Sequence, residues 1–332
     1  ASTAVLVNAD NNSTDGTAAA FLADAGKTRR LAVATGASGT GKGTNIMAIF
    51  HAALDLGAER VVVLDADVRS AEPWWTARLL EAVQVAGPAM AVPVYRRNRY
   101  EGNTTNHLAS PLLAAVLGVH VQQPIAGDFA FNRACIERAV TWPLPESAQK
   151  YGIDIYLTGN AVREKHQISQ VPLGRKIHNP GFPKILAMSQ QVIDALWHVI
   201  VMAGSPRPAP EPSAIARRTV DVAACRPDAR LAERTFAKVN RYLNQNRSAI
   251  AEVYPSLGAA VEPGDLMGIP SALWPEVLAD ALTAVAGGRA GEARDHLVAL
   301  YLCRVRTYWQ EIEALGDPDA IDALLDEQAE AV

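Results

Sequence analysis

Arg60-Val61-Val62-Val63-Leu64-Asp65-Ala66-Asp67-Val68-Arg69-Ser70 is the stretch on which the fold turns. Four aliphatic residues without alternation read as a strand covered on both faces, the pattern of a sheet with helices on either side. The run then ends in two acids spaced i, i+2. On a strand such side chains share a side, and the C-terminal ends of parallel strands are where open α/β sheets place ligands. Two like charges there call for a cation, and carboxylate oxygens suit Mg²⁺ or Mn²⁺ holding a diphosphate. A bare Asp-x-Asp reads equally well as a turn cap beside one solvated acid.

Upstream, short apolar runs alternate with longer helical ones: residues 4–10 (AVLVNAD), 17–26 (TAAAFLADAG), 31–35 (LAVAT) and 45–57 (NIMAIFHAALDLG). Together with residues 60–67 this is β-α-β-α-β, and the fold class is α/β, an open sheet flanked by helices. From about residue 94 to 183, polar and Gly/Pro-rich pieces separate apolar ones, the kind of loops that carry sites. After Ser189 the pattern is helical, interrupted by the linker SPRPAPEPS at 205–213. Leu297, Leu300, Tyr301 and Val305 keep one helical face apolar. The expected division is therefore residues 1–190 as an α/β domain and 191–332 as a helical C-terminal region.

Across 332 residues, 31 Lys plus Arg face 35 Asp plus Glu, a net charge of −4, and 49% of residues are hydrophobic. Such a chain can bury a sizeable core, and it lacks the basic excess that would neutralise a nucleic-acid backbone, so no nucleic-acid partner is expected. Cys135, Cys225 and Cys303 are too dispersed for a disulfide framework or a Cys-x-x-Cys metal site, which points to the cytoplasm. The apolar stretch Val192 to Gly204 carries Asp194 and His198 and falls short of the roughly 20 residues of a membrane span. Helices after Leu231 are amphipathic, leaving open a homodimer surface or packing on the sheet.

Gly36 to Thr44 (GASGTGKGT) follows a strand and precedes a helix, as a phosphate-cradling loop does, and Asp65 would then be its Mg²⁺ acid. This is the phosphotransferase reading. Against it stand the strand and helix that precede the loop, and Gly43 where Ser or Thr usually follows the lysine. Asn12-Ser13-Thr14-Asp15-Gly16-Thr17 reads from its residues as a turn that caps a helix.

That turn also resembles the SxSTDxT turn of nucleotide-sugar glycosyltransferases of the GT-A fold, and Gly41-Lys42-Gly43 followed by the Asp-x-Asp strand matches the order in their retaining branch. Gln123-Pro124-Ile125-Ala126-Gly127-Asp128 is similar to the QPLxGE segment of the glucosyl-3-phosphoglycerate and mannosylglycerate synthases. Tyr151-Gly152-Ile153-Asp154 and Lys176-Ile177-His178-Asn179 resemble two further segments of that family, and MSQQVIDAL at 188–196 resembles the helix that follows. The resemblance runs from about Val5 to Trp197. It implies a GT-A-like, Rossmann-like open mixed sheet. It also implies a metal-dependent retaining transfer of glucose or mannose from a GDP- or UDP-hexose to a small hydroxy acid such as glycerate or 3-phosphoglycerate, in compatible-solute synthesis.

Carried over residue by residue, the resemblance implies Asp67 and His178 as ligands of Mg²⁺ or Mn²⁺. Asp10, Asp15, Lys42, Asp65 and Gly127 fall on the donor side. Arg96, Thr104, Thr105, Asp154 and Asn179 fall on the acceptor side, and Asp67, Lys42 and Asp154 form the catalytic set. No dedicated general base is implied. Read without the family, Asp154 caps a helix and His178 is a solvated loop residue. Two departures matter. The family's acceptor-phosphate arginine, in a GRxT stretch, is replaced at Gly102-Asn103-Thr104-Thr105, while Arg96, Arg97 and Arg99 upstream suit a carboxylate. The chain also starts at what resembles the family's second strand, so an exposed strand edge and weakened donor binding are expected. That departure keeps a non-catalytic sugar-nucleotide-binding protein as a third reading.

Overall fold

The computed structural model describes residues 4–23, 26–36, 40–179, 181–204, 217, 227–260 and 266–332. Its first half alternates as the apolar runs require: β1 (Val5–Asp10), α1 (Thr17–Ala23), β2 (Arg29–Ala34), α2 (Lys42–Asp55), β3 (Arg60–Val63), α3 (Pro73–Ala82) and β4 (Ala89–Arg96). A π-helical turn (Thr105–Ala109) leads into α4 (Ser110–Leu117), followed by β5 (Phe129–Asn132), α5 (Arg133–Ala139), α6 (Glu146–Gln149), α7 (Ile153–Arg163) and β6 (Gln167–Arg175).

The sheet is mixed, as expected, and is in two parts. β1 and β2 pair in parallel, Val5 opposite Arg29. The other four strands run β3-β5-β4-β6, with β5 antiparallel to both neighbours and β4 parallel to β6. One expectation needs correction: the apolar runs are not all covered on both faces, since Val61 and Val62 of β3 are half-buried, Leu64 after it is 37% exposed and Leu6 of β1 is 45% exposed. Among the described residues β1 pairs with β2 alone, so it lacks the second neighbour that buries a central strand. β5 has both, and all four of its residues are buried. Phe131 of β5 meets Phe50 of α2 edge to face at 5.0 Å, which seats α2 across the sheet.

The rest is helical: α8 (Ile185–Ala203), α9 (Ala229–Gln245), α10 (Arg247–Val253), α11 (Pro255–Ala260), α12 (Trp274–Ala286), α13 (Ala290–Leu315) and α14 (Pro318–Glu330). The division expected at 190/191 falls inside α8, which packs on α7 on one side and α13 on the other, so one apolar cluster runs across it. Phe182–Ala203 is long and apolar enough to cross a membrane, where the sequence reading found no such stretch; half of its apolar 18-residue window is buried inside the protein. The linker expected at 205–213 and Cys225 lie outside the described residues. Cys135 and Cys303 are free thiols and buried.

Candidate active site

Lys42 opens α2, and its position is set by the glycine that follows. A Cβ on Gly43 would lie 1.8 Å from the Ala148 carbonyl oxygen. Only glycine lets the helix start dock on the C-terminal end of α6, where the Gly43 amide donates to the Lys150 carbonyl at 3.2 Å. Docked there, Lys42 Nζ reaches Asp154 Oδ2 at 2.9 Å, Asp65 Oδ1 at 2.8 Å and the Gly127 carbonyl at 3.3 Å. Burial alone would lower the Lys42 pKa, but Asp154 and Asp65 outweigh it and raise it, so the ammonium is permanent at neutral pH. Asp154, in the first turn of α7, is pushed the other way: burial raises its pKa against the pull of Lys42. Its second oxygen, Oδ1, is buried with no partner.

Asp65 is held from both sides. Lys176 Nζ donates to Asp65 Oδ2 at 2.9 Å and to the Ala126 carbonyl at 2.8 Å, and it pairs with Asp128 Oδ2 at 2.7 Å. Burial disfavours the Asp65 carboxylate, yet Lys42 and Lys176 together hold its pKa below the usual value. Asp128 accepts from the Asp65 amide at 2.7 Å and from the Tyr95 hydroxyl at 2.7 Å, which joins β4, β5 and the β3 end in one polar knot. Lys176, Asp128 and Tyr95 were given no site role from sequence. A buried lysine at the end of β6 with an acid ending Gln123–Asp128 was the available signal.

The two acids of the Asp-x-Asp run do not converge as strand neighbours, which corrects the reading from strand alternation. β3 ends at Val63, and the Val68 amide closes a turn on the Asp65 carbonyl at 3.2 Å, so Asp65 turns inward to the lysines while Asp67 is exposed. Asp67 Oδ2 instead accepts from the Asn179 amide at 3.3 Å, which ties it to the loop carrying His178. His178 is half-buried, and its pKa is lowered by burial, then by Arg97 and Lys176, with Glu101 and Asp67 opposing. A neutral imidazole beside an exposed carboxylate is a donor set that suits Mg²⁺ or Mn²⁺. Among the described residues no group of three or more Asp, Glu, His or Cys side chains stands ready to hold a metal.

Of the remaining candidates, Asp10 binds the Ser13 amide and hydroxyl, and Asp15 caps α1 through Thr17. Both serve the turn rather than the lysine cluster. Beside them lies an unforeseen polar set: Asn11 donates to Thr35 and Asn45, and its carbonyl takes the Gly41 amide. Thr104 spends its hydroxyl on Tyr301 at 3.0 Å, and Thr105 is buried in the π turn. Arg96 is exposed and is not brought to the cluster; Arg97, on the other side of the strand end, is. Gln123 Oε1 accepts from Arg97 Nε at 3.2 Å, and Arg97 Nη1 lies 3.4 Å from His178 Nε2.

The phosphotransferase reading of Gly36–Thr44 finds no support in this geometry. Lys42 faces two carboxylates instead of open space over the loop. The Gly41 and Gly43 amides, which a phosphate would need, are spent on Asn11 and Lys150. Residues 37–39 of that loop lie outside the described residues.

No curated protein matches the chain. Among solved structures, glucosyl-3-phosphoglycerate synthase from Mycobacterium tuberculosis in complex with phosphoglyceric acid is 27% identical, with a TM-score of 0.49 over 61% of this chain and 70% of that one. The same enzyme with Mn²⁺, uridine-diphosphate and glucosyl-3-phosphoglycerate is 28% identical, with a TM-score of 0.48 over the same shares. The family model that matches is Glycosyl transferase family 2, over residues 6–143, the part of the chain that carries Lys42, Asp65, Asp67 and Gly127.

Proposed function

We propose that the chain is a metal-dependent retaining hexosyltransferase that moves glucose or mannose from a nucleotide diphosphate sugar to a small hydroxy acid of the glycerate kind. The observation that carries the reading is the Lys42 ammonium, held between Asp65 and Asp154, beside an Asp154 oxygen that is buried without a partner. A buried orphan acceptor is costly unless a ligand donor satisfies it, and a sugar hydroxyl is such a donor. The match of residues 6–143 to the family 2 transferases supports the same reading.

In this reading Asp67 and His178 hold the divalent cation, which would neutralise the departing diphosphate. Lys42 adds fixed positive charge at the donor, and its three contacts keep it from reorganising as charge develops. Asp154 orients the hexose through its hydroxyls. Asp65, locked by Lys42 and Lys176, faces the donor as a shaped wall with Gly127. No side chain is assigned as general base; the acceptor proton passes to the leaving phosphate.

A thermal-shift panel of UDP-glucose, GDP-glucose, GDP-mannose and ATP, each with and without Mn²⁺, tests the proposal. A sugar nucleotide at about 100 times its dissociation constant adds roughly 2.7 kcal/mol of stability. The expected result is a shift with one sugar nucleotide that requires the metal. A shift with ATP alone would return the chain to the phosphotransferase reading, and binding without hexosyl transfer would leave a non-catalytic sugar-nucleotide binder.

A further inference from the structure

Beside Arg97 lies a small polar cavity of about 20 Å³, lined by Arg97, Asn106, Gln122, Arg217, Tyr308 and Leu325 among others. Two guanidinium groups border it, and among the described lining residues there is no carboxylate. Arg217 is held from one side: its Nε pairs with Asp326 and its Nη1 donates to Asn106 Oδ1 at 3.0 Å. Its side chain is 7% exposed, and its remaining nitrogen, Nη2, is buried with no partner. Arg97 is fixed in the same manner by Gln123. A guanidinium N–H kept dry and unpaired is costly, and an anion is the ligand that satisfies it.

We infer that this cavity is the carboxylate subsite of the acceptor, with Arg217 its specificity-determining residue. The inference rests on the hexosyltransferase reading for the identity of the acceptor. The planar edge of a guanidinium matches a carboxylate, and Arg97 and Arg217 both border this small cavity. Arg97 borders the cavity and also touches His178 at 3.4 Å, so a short hydroxy acid anchored there presents its hydroxyl toward the Asp67 and His178 side. Arg217 reaches this cavity from a part of the chain 111 residues downstream of its partner Asn106.

Isothermal titration calorimetry with D-glycerate, glycerol and 3-phosphoglycerate, on wild type, Arg217→Ala, Arg217→Lys, Arg97→Gln and Asp326→Asn, tests the subsite without depending on turnover. Wild type is expected to bind glycerate saturably and glycerol not at all. Arg217→Ala and Arg97→Gln should weaken glycerate about tenfold or more, the loss typical of a charge-assisted hydrogen bond, and Arg217→Lys should fall between. Asp326→Asn breaks the ion pair but leaves the cavity its charge, so glycerate binding should persist; equal loss in Asp326→Asn and Arg217→Ala would mean that Arg217 merely holds α14 and would overturn the subsite. Undiminished glycerate binding by Arg217→Ala, or 3-phosphoglycerate bound more than tenfold tighter than glycerate by wild type, would overturn it too. Glycerate binding that follows this pattern without any hexosyl transfer would sink the transferase reading and leave the subsite standing. Transfer to glycerate that Arg217→Ala leaves unchanged would do the reverse.

Discussion

Gly127 abuts the Asp65 carboxylate so closely that a Cβ on the glycine would lie 2.0 Å from Oδ2 and 2.9 Å from Lys176 Nζ, at a φ of +90°. The acid cannot retreat, because Lys42 and Lys176 hold one oxygen each. Gly127→Ala must therefore shift the loop or the acid. It is expected to cost about 1–3 kcal/mol of stability by overpacking and to lower hexosyl transfer far more than the stability loss explains. Urea unfolding with initial rates on the same preparation checks this; a variant with wild-type midpoint and rate would show that the contact is not maintained in solution.

Lys176 tests whether the knot is structural. Its side chain is 3% exposed and pairs with both Asp65 and Asp128. Lys176→Met leaves Asp128 without its cation and Asp65 with Lys42 alone, and breaking a buried pair on one side typically costs about 3–5 kcal/mol. Adding Asp128→Asn removes the orphaned charge, so the double variant should recover part of the loss. A double-mutant cycle on unfolding free energies reads the coupling, and strict additivity would mean that the two side chains do not interact.

How far the sequence reaches can be seen at these same residues. Lys42, Gly127 and Asp154 were legible through the family resemblance of the segments that carry them, since locally Asp154 reads only as a helix cap, and the structure brings all three together. Asp65 and Asp67 were legible as a pair but not in their division of labour, since strand alternation cannot foresee that β3 stops at Val63 and turns. Arg96, Arg97 and Arg99 were legible only as a basic set, whereas a period-two count from Tyr95 puts Arg97 on the side of the site. Nothing local marked Lys176, Asn11 or Arg217. Their partners lie 111, 34 and 109 residues away, in Asp65, Asn45 and Asp326. β5 between β3 and β4 was equally hidden, because strands buried on both faces carry no mark of their neighbours.

Asp67 and His178 separate the metal from the rest of the site. His178→Ala and Asp67→Asn remove one ligand each while leaving the Lys42 cluster intact. The expected outcome is loss of the Mn²⁺-dependent part of sugar-nucleotide stabilisation and a drop in transfer of at least about a hundredfold, the scale of a lost transition-state charge contact. Melting temperatures without ligand should stay near wild type. Full metal-dependent activity in His178→Ala would rule out His178 as a ligand.

The pH dependence of stability has a defined sign at His107. This histidine is fully buried in the π turn, and burial, then the charges of Arg304 and Arg217, set its pKa well below the ordinary value of 6.5. Gln328 Nε2 donates to Nδ1 at 2.9 Å, a bond that only the neutral imidazole accepts. The unfolded chain therefore takes up a proton near pH 6.5 that the folded chain refuses. Stability held above that pH is lost as the pH falls below it, at up to about 1.4 kcal/mol per pH unit for one group. Asp154 works in the opposite sense: its raised pKa favours the fold at low pH and costs stability as the pH climbs above 3.8. The two are told apart by difference. His107→Gln should be less stable than wild type at pH 7.5 and should close part of that gap by pH 5.5, whereas a gap that stays constant across this range would mean that His107 is not the group that titrates.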